Sequence, residues 1–507
     1  MDDKSTIQEE ARQVADTNPL RAIELYLGIW NKYDSQFNNY DAIALLKALR
    51  KAKKRHVTQL PEILERYKEM EIVTGLTGWY LFDCYIKARQ PQEILNDENW
   101  IVKLVQHIPQ KDTRSNDKYP CPLFLIIKGL VTAHSNNLFN AGMVYQHLSM
   151  LNPDLLSLDC SEYTDKDGKA KTNPSACEEY YQGFTKATFK LGKFEECIAA
   201  AKSALTVLRD FHYDNDLWFK MRIAQSEFNL KNFDASERVY LEILNSRTGS
   251  SKWFLFKQYS ELLFTQGRYK ESWEQSLKAG SLIFDIKYSA SLCLLQARIL
   301  FRLDRGNEGE IFAKMISIGA NENLWNISQE YQKLIDYYTF DITDLGASRH
   351  FQRLRDFWNK EMYDNFHEYE GAIVFVHNNN KVGKIKTATE TINFKKSSFY
   401  PPQKNISKLE GSFVKFVVDL DYNGNKLAKN VKIVKRKNVE FVVNKTMRGK
   451  IKNIVDFGIF VTFENAKDGL LHKTKLKDTF KDDFEINQII EVVVVKETDK
   501  GLELNLV

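Results

Sequence analysis

The stretch RHFQRLRDFWNKEMYDNFHEY (349–369), followed at once by EGAIVFVH (370–377), carries two periodicities back to back. In the first, Phe351, Leu354, Phe357, Trp358 and Met362 recur at spacings of three and four, which gathers them into one stripe along a helix. From Gly371 the period changes to two, and β-branched and aromatic residues take over, as in a strand with one buried face. The junction near residue 370 therefore separates a helical part from a β part. The stripe before it belongs in a core or on a partner-binding face.

Toward the N-terminus the helical period persists, as in AIALLKALRKAKK (42–54) and LWFKMRIAQSEFNL (217–230). Asn18 followed by Pro19 is a cap and first-turn signal. Three stretches superpose: FKLGKFEECIAAAKSAL (189–205), FNLKNFDASERVYLEIL (228–244) and LFTQGRYKESWEQSLKA (263–279). Their anchors, Phe194, Phe233 and Tyr269, lie 39 and 36 residues apart, and each is followed at +3 by a small residue: Cys197, Ser236 and Ser272. Small residues let two helices approach, and the aromatic fills the gap between them. Gly192 and Gly267 stand two places before their anchors, where the middle stretch has Lys231. The pattern resembles the tetratricopeptide repeat, best over 175–280. The resemblance implies a helical-repeat scaffold over residues 1–345 that holds a protein partner in its concave groove. Residues 346–370 are expected to form one connecting helix. The insert CSEYTDKDGKAKTNPSAC (160–177) reads as a loop, and its Asp165-x-Asp167-Gly168 fragment as a surface turn, since the later oxygen ligands of a calcium loop are missing.

Toward the C-terminus, short runs such as SFVKFVVDL, NVKIVK, GIFVTF and LELNLV, separated by Gly and Asn turns, point to two small antiparallel barrels, 371–437 and 438–507. Charge is uneven as well. The whole chain carries +5, but residues 371–452 hold 18 basic against 5 acidic groups. Such a block is an electrostatic footprint for polyanions or a solvated surface.

The first barrel segment resembles a cold-shock domain. The resemblance rests on GAIVFVHNNNKVGKI (371–385), the Leu409-x-Gly411 turn, Val414-x-Phe416 and Ala428-x-Asn430-Val431. Of the aromatics with which that family stacks bases, Phe375 remains. Lys381 and Lys384 stand in the first of the family's two ribonucleoprotein motifs, Lys395 and Lys396 in the second. Lysines there imply phosphate contacts, which are blind to sequence and sensitive to salt. A barrel that has exchanged nucleic acid for a protein is the alternative.

The second segment resembles an S1-type RNA-binding domain through Gly449-Lys450-Ile451, Asp456-Phe457-Gly458-Ile459-Phe460-Val461, Gly469-Leu470-Leu471-His472 and LELNLV (502–507). The resemblance places Phe457, Phe460 and His472 on a face that holds single-stranded RNA, with Lys450 beside them. Aromatic faces stack bases, and an imidazole can stack or hydrogen-bond. Gly501 falls where the family often has Arg. Between the barrels, Lys435-Arg436-Lys437 reads as a flexible linker or as a bridge for a strand running across both faces.

No phosphate loop, zinc spacing or hydrolase motif is found, and the nine histidines are scattered. The reading is therefore no enzyme, no cofactor and no metal. No apolar run reaches the roughly 18 residues that span a bilayer, and the N-terminus lacks the apolar core of a signal peptide. A cytoplasmic location without membrane attachment is the expectation, with six thiols reduced and mostly buried. Repeats fused to these two barrels resemble components of bacterial conflict systems of the TOTE type, which implies an antiviral setting. The functional expectation is an adaptor that binds RNA or single-stranded nucleic acid. A protein scaffold with degenerate barrels, or a housekeeping factor in RNA processing or translation, is the alternative.

Overall fold

The computed structural model describes residues 3–115, 121–136, 138–339, 346–421, 423–435, 444, 446–463, 468–498 and 501–507. The chain divides into two compact units, 1–272 and 273–507. Helices run from Lys4 to Tyr363, and two closed five-stranded barrels follow. No helix among the described residues is long and apolar enough to cross a membrane. The six cysteines are free, and five of them are buried.

In the first unit, local sequence explains the helix ends. The Asn18 side chain accepts from the Arg21 N–H, with Pro19 in the first turn. The three superposed stretches are helical hairpins. The pairs are Ala176–Lys190 with Phe194–Val207, Asn215–Asn229 with Phe233–Leu244, and Trp253–Thr265 with the helix opening at Tyr269. Each anchor aromatic begins its second helix and meets an aromatic across the turn: Phe189–Phe194 at 5.7 Å, Phe228–Phe233 at 5.9 Å and Phe264–Tyr269 at 5.4 Å. Each +3 residue is fully buried and donates to a carbonyl twelve residues back on the facing helix. Cys197 reaches Thr185 at 3.3 Å, Ser236 reaches Ala224 at 2.8 Å and Ser272 reaches Ser260 at 2.7 Å. Gly192, Lys231 and Gly267 all adopt the left-handed conformation, at φ +73°, +63° and +79°. Lys231 thus keeps a turn that glycine would make at lower cost.

The insert before the first hairpin differs from its expected irregular loop. Strands β1 (Glu162–Thr164) and β2 (Ala170–Thr172) pair antiparallel. Asp165 at their turn accepts from the Asp167 and Lys169 amides and pairs with Lys171 at 2.7 Å, so its carboxylate already has its partners.

In the second unit the connecting helix spans Ala347–Tyr363. Phe351, Leu354 and Trp358 are buried, so the stripe is core. The Trp358 indole packs where a Cβ on Gly280 would lie 2.5 Å from the ring, and its N–H donates to Gln296 at 2.9 Å. The helix is shorter than expected. Strand β3 (Glu368–Val376) begins inside the stretch expected as helix, because Glu368–Ala372 pair with Val417–Phe413 of β6 (Phe413–Leu420). A ladder supplied by the barrel outweighs local helical propensity there.

The first barrel comprises β3, β4 (Val382–Lys386), β5 (Thr391–Lys395), β6 (Phe413–Leu420) and β7 (Lys426–Lys435). The second comprises β8 (Thr446–Val455), β9 (Gly458–Thr462), β10 (Gly469–His472), β11 (Ile489–Thr498) and β12 (Gly501–Leu506). Both close in the order first, second, third, fifth, fourth, with the third and fifth strands parallel. This is the OB-fold arrangement. Both first strands carry a register shift just after the isoleucine of a G-x-I triplet, at Ile373/Phe375 and at Ile451/Asn453, and such bulges let one strand bend around a closed barrel. Each barrel has its own core, centred on Ile373, Ile385, Phe394 and Phe416 in the first and on Ile451, Val461, Leu471 and Leu504 in the second. The connecting helix docks on the first barrel through Asn359 to Asn430 (2.8 Å), Gln352 to Tyr400 (3.1 Å) and the Tyr400–Asp356 hydrogen bond.

Candidate nucleic-acid interface

Strand alternation sorts the candidate residues. On β4 Gly383 and Ile385 point inward, which leaves Val382, Lys384 and Lys386 outside. On β5 Ile392 and Phe394 point inward, which leaves Thr391, Asn393 and Lys395 outside. The bulge after Ile373 turns Phe375 outward, 44% exposed, to lie across from Lys384, which in turn pairs with Asn393. Val382 pairs with Lys395, and Lys386 with Thr391. The outer face of β3–β4–β5 therefore shows three cross-strand rows with a single aromatic. Lys381, Lys395 and Lys396 line one surface depression with Val382, Ser397, Pro402 and Gln403. Lys381, Lys384, Lys386, Lys395 and Lys396 have no carboxylate partner among the described residues, so their charge is open to an external anion. Lys386 was not among the residues expected on this face; alternation from Lys384 is the signal that points to it, one residue past the cold-shock-like stretch 371–385.

The second barrel brings its candidates together differently. Val455 pairs with Gly458, so β8 and β9 are joined by a two-residue turn, Asp456-Phe457. The Gly458 backbone sits at φ +149°, and a Cβ there would lie 2.4 Å from the Leu471 carbonyl oxygen and 3.0 Å from the His472 Cα. Only glycine permits that approach. It sets Phe457, 47% exposed, at the head of the face, with Gly458 opposite His472 on β10. The Phe457 and Phe460 rings meet edge to face at 5.9 Å. Phe460 is half-buried between Asn453 and Leu470. The His472 Nδ1 lies 2.9 Å from the Thr474 hydroxyl and accepts from the Thr474 amide, which fixes the ring and leaves Nε2 for another partner. Lys450 is exposed on β8, one row below, across from Thr462.

Around this face four other cations are matched. Lys452 pairs with Asp468 (2.5 Å), Lys475 with Glu503 (3.2 Å), Arg448 with Glu491 (2.8 Å) and Lys481 with Asp456 (2.5 Å). The Lys481 ammonium holds the Asp456 carboxyl below its usual range. Gly501 also sits at φ +149°, with the Asp468 carbonyl 2.6 Å from where a Cβ would be, so this backbone has no room for the arginine of related barrels. Of the inter-barrel cluster, Lys435 ends β7, while Arg436 and Lys437 lie outside the described residues.

Sequence spacing gave no hint of one convergence elsewhere. Glu98, His134 and His147, from three helices, place their ligand atoms within 4.8 Å of one another. Both Nε2 atoms contact the same Glu98 oxygen, at 2.7 and 2.6 Å, and the fully buried His147 leaves its Nδ1 without a hydrogen-bond partner. A metal on the His147 Nε2 would force an unpaired buried N–H at Nδ1, against the usual outer partner of a ligating histidine. Two Nε2–H groups donating to one carboxylate suit this geometry better. Burial pushes the His147 imidazole below its ordinary pKa.

Residues 440–506 match the family described as S1 RNA binding domain. Over 73 residues the chain is 38% identical to the polyribonucleotide nucleotidyltransferase of Sulfurovum sp. (strain NBC37-1), a match that covers 14% of this chain and 10% of that protein. With the aromatic and histidine face on the last barrel, these matches lead to one conclusion: the chain carries an S1 RNA-binding domain at its C-terminus, which supports binding of RNA or other single-stranded nucleic acid.

Proposed function

We propose that the protein is an adaptor that grips single-stranded RNA with both barrels and holds a protein partner with its helical hairpins, without catalysing a reaction itself. The observation that carries this reading is the juxtaposition of Phe457, Phe460 and His472 on one outer face of the S1 barrel. Stacking on such a face contributes roughly 1–3 kcal/mol per base. The first barrel adds charge. Each phosphate neutralised by a lysine steepens the salt dependence by about 0.7 in log K against log salt. Two weak modules on one chain reinforce each other through effective concentration. The similar nucleotidyltransferase takes its name from a polyribonucleotide, which accords with RNA as the ligand.

The repeated hairpins, with their anchor aromatics and buried +3 residues, support a tetratricopeptide-like groove for a protein partner. The cold-shock-like reading of the first barrel, the cytoplasmic location and a role in a bacterial antiviral conflict system belong to the same proposal. A neighbouring nuclease or primase gene would support the defence setting over a housekeeping role.

A second reading has its own observation. The cross-strand rows of β3, β4 and β5 keep a single aromatic, so that face could dock a protein instead. A salt series of gel shifts with the full chain and single-stranded RNA decides between them. Retardation that weakens steeply with salt supports the adaptor. Absence of a shift in dilute buffer would leave a scaffold for proteins.

A further inference from the structure

We propose that the first unit contains a separate phosphate-binding cavity, lined by Lys47, Arg50, Lys51, Lys53 and Lys87, which takes a nucleotide or a nucleic-acid phosphate group. The proposal does not rest on the barrels, which lie in the other unit.

The segment KALRKAKKR (47–55) holds six basic residues and no acidic one, in a helical part (1–370) that otherwise has 41 basic against 51 acidic groups. Four of the six meet Lys87 around a cavity of about 580 Å³, with Asp83 as its one carboxylate. That volume lies in the range of small-molecule sites. The bland explanation is that lysines at the C-terminal end of the helix Asn39–Ala52 offset its dipole. The dipole amounts to about half an elementary charge and acts within the last turn. Lys47 lies before that turn and Lys87 comes from another element, so five cations are more than the helix end requires.

Arg50 is already oriented for a two-pronged contact with an anion. Its Nε donates to Asp83 at 2.5 Å, and its guanidinium lies 5.7 Å from the centre of the Trp79 ring. One carboxylate and one aromatic face thus fix the group while its terminal nitrogens stay available for the two-pronged contact that phosphate favours. Lys51 is partly occupied by Asp16 at 2.6 Å, whereas Lys47, Lys53 and Lys87 have no carboxylate partner among the described residues.

The backbone around the cavity is unusual on both sides. Phe82–Ile86 forms a π-helical turn that leads into Lys87, and Ala88 and Lys53, both lining the cavity, hold left-handed conformations at φ +59° and +48°. Neither is a glycine. Strained residues and π turns concentrate at binding sites, where they aim side chains that regular helix would not.

The test is calorimetric titration of the full chain with pyrophosphate, with AMP and with a short single-stranded RNA. Three proteins are compared: the natural one, the cavity variant Lys47→Gln/Lys53→Gln/Lys87→Gln, and the barrel variant Lys384→Gln/Lys395→Gln/Phe457→Ala. The cavity substitutions are at exposed positions, and a thermal melt checks that folding is unchanged. Pyrophosphate binding that drops at least tenfold in the cavity variant and persists in the barrel variant supports the site. A natural protein that ignores pyrophosphate, or a cavity variant that binds it equally well, overturns it. The source of the phosphate follows from competition. RNA that displaces pyrophosphate from the barrel variant identifies a nucleic-acid backbone, and displacement by AMP alone identifies a free nucleotide.

Discussion

The two barrels share one strand order, one pair of G-x-I triplets and one bulge, yet they present different chemistry. Strand pairing aligns them residue by residue. Phe375–Lys384–Asn393 in the first occupies the row that Asn453–Phe460–Leu470 occupies in the second, and Val382–Lys395 corresponds to Gly458–His472. Part of the difference originates in the hairpin that joins their first two strands. In the second barrel the two-residue turn Asp456-Phe457 closes against Gly458 and lifts an aromatic to the head of the face. In the first, residues 377–381 make a longer loop, pinned where the Asn380 side chain accepts from the Ile406 and Ser407 amides. Val382 then needs no special backbone, and lysines border the face. A fold common to both leaves the ligand chemistry to a turn length and to the outward positions of three strands.

The two hairpins differ most at Gly458. Gly458→Ala should cost about 2 kcal/mol or more, since φ +149° and the Leu471 carbonyl both oppose a Cβ. Denaturant unfolding would show the C-terminal barrel melting early while the corresponding Val382→Ala stays nearly silent. Equal effects would mean that the two hairpins are not distinct in the way described.

Next in size is Phe457→Ala. It should lower affinity for single-stranded RNA by roughly 1–3 kcal/mol at fixed salt, read by fluorescence anisotropy, with little change in stability because the ring is exposed. The lysine face should respond through salt instead of through base identity. The triple change Lys384→Glu/Lys395→Glu/Lys396→Glu should reduce the slope of log K against log salt by about 2. Binding with an unchanged slope would remove nucleic acid from the first barrel. The smallest effect is expected from Lys384→Phe, which gives the first barrel the residue of the Phe460 position. It should gain about 1 kcal/mol from stacking and lose about 0.7 of salt slope, so that affinity rises in high salt and changes little in low salt.

Legibility in the sequence followed the range of the interactions involved. The Asp456-Phe457-Gly458 turn and the Gly469–His472 strand are local, and each residue type there answers a demand of its own backbone. The connecting helix was readable as a stripe but not in its end. Tyr363 terminates it because residues from Glu368 onward find ladder partners on β6, some 45 positions away. Lys386 joined the face only once β4 was paired on both sides. Glu98, His134 and His147, and likewise Lys47 and Lys87, meet through helix packing that no spacing announces.

By itself the amino-acid order determined the change from helix to strand, the repeated hairpins with their anchor aromatics, and the S1-type motif, because periodicity and turn chemistry act over a few residues. Tertiary structure alone decided which lysines remain without a carboxylate, where the first barrel rests on the helix before it, and which cations of the first unit converge on one cavity. Those outcomes depend on groups far apart in the chain being brought within a few ångströms, and only the folded packing supplies that.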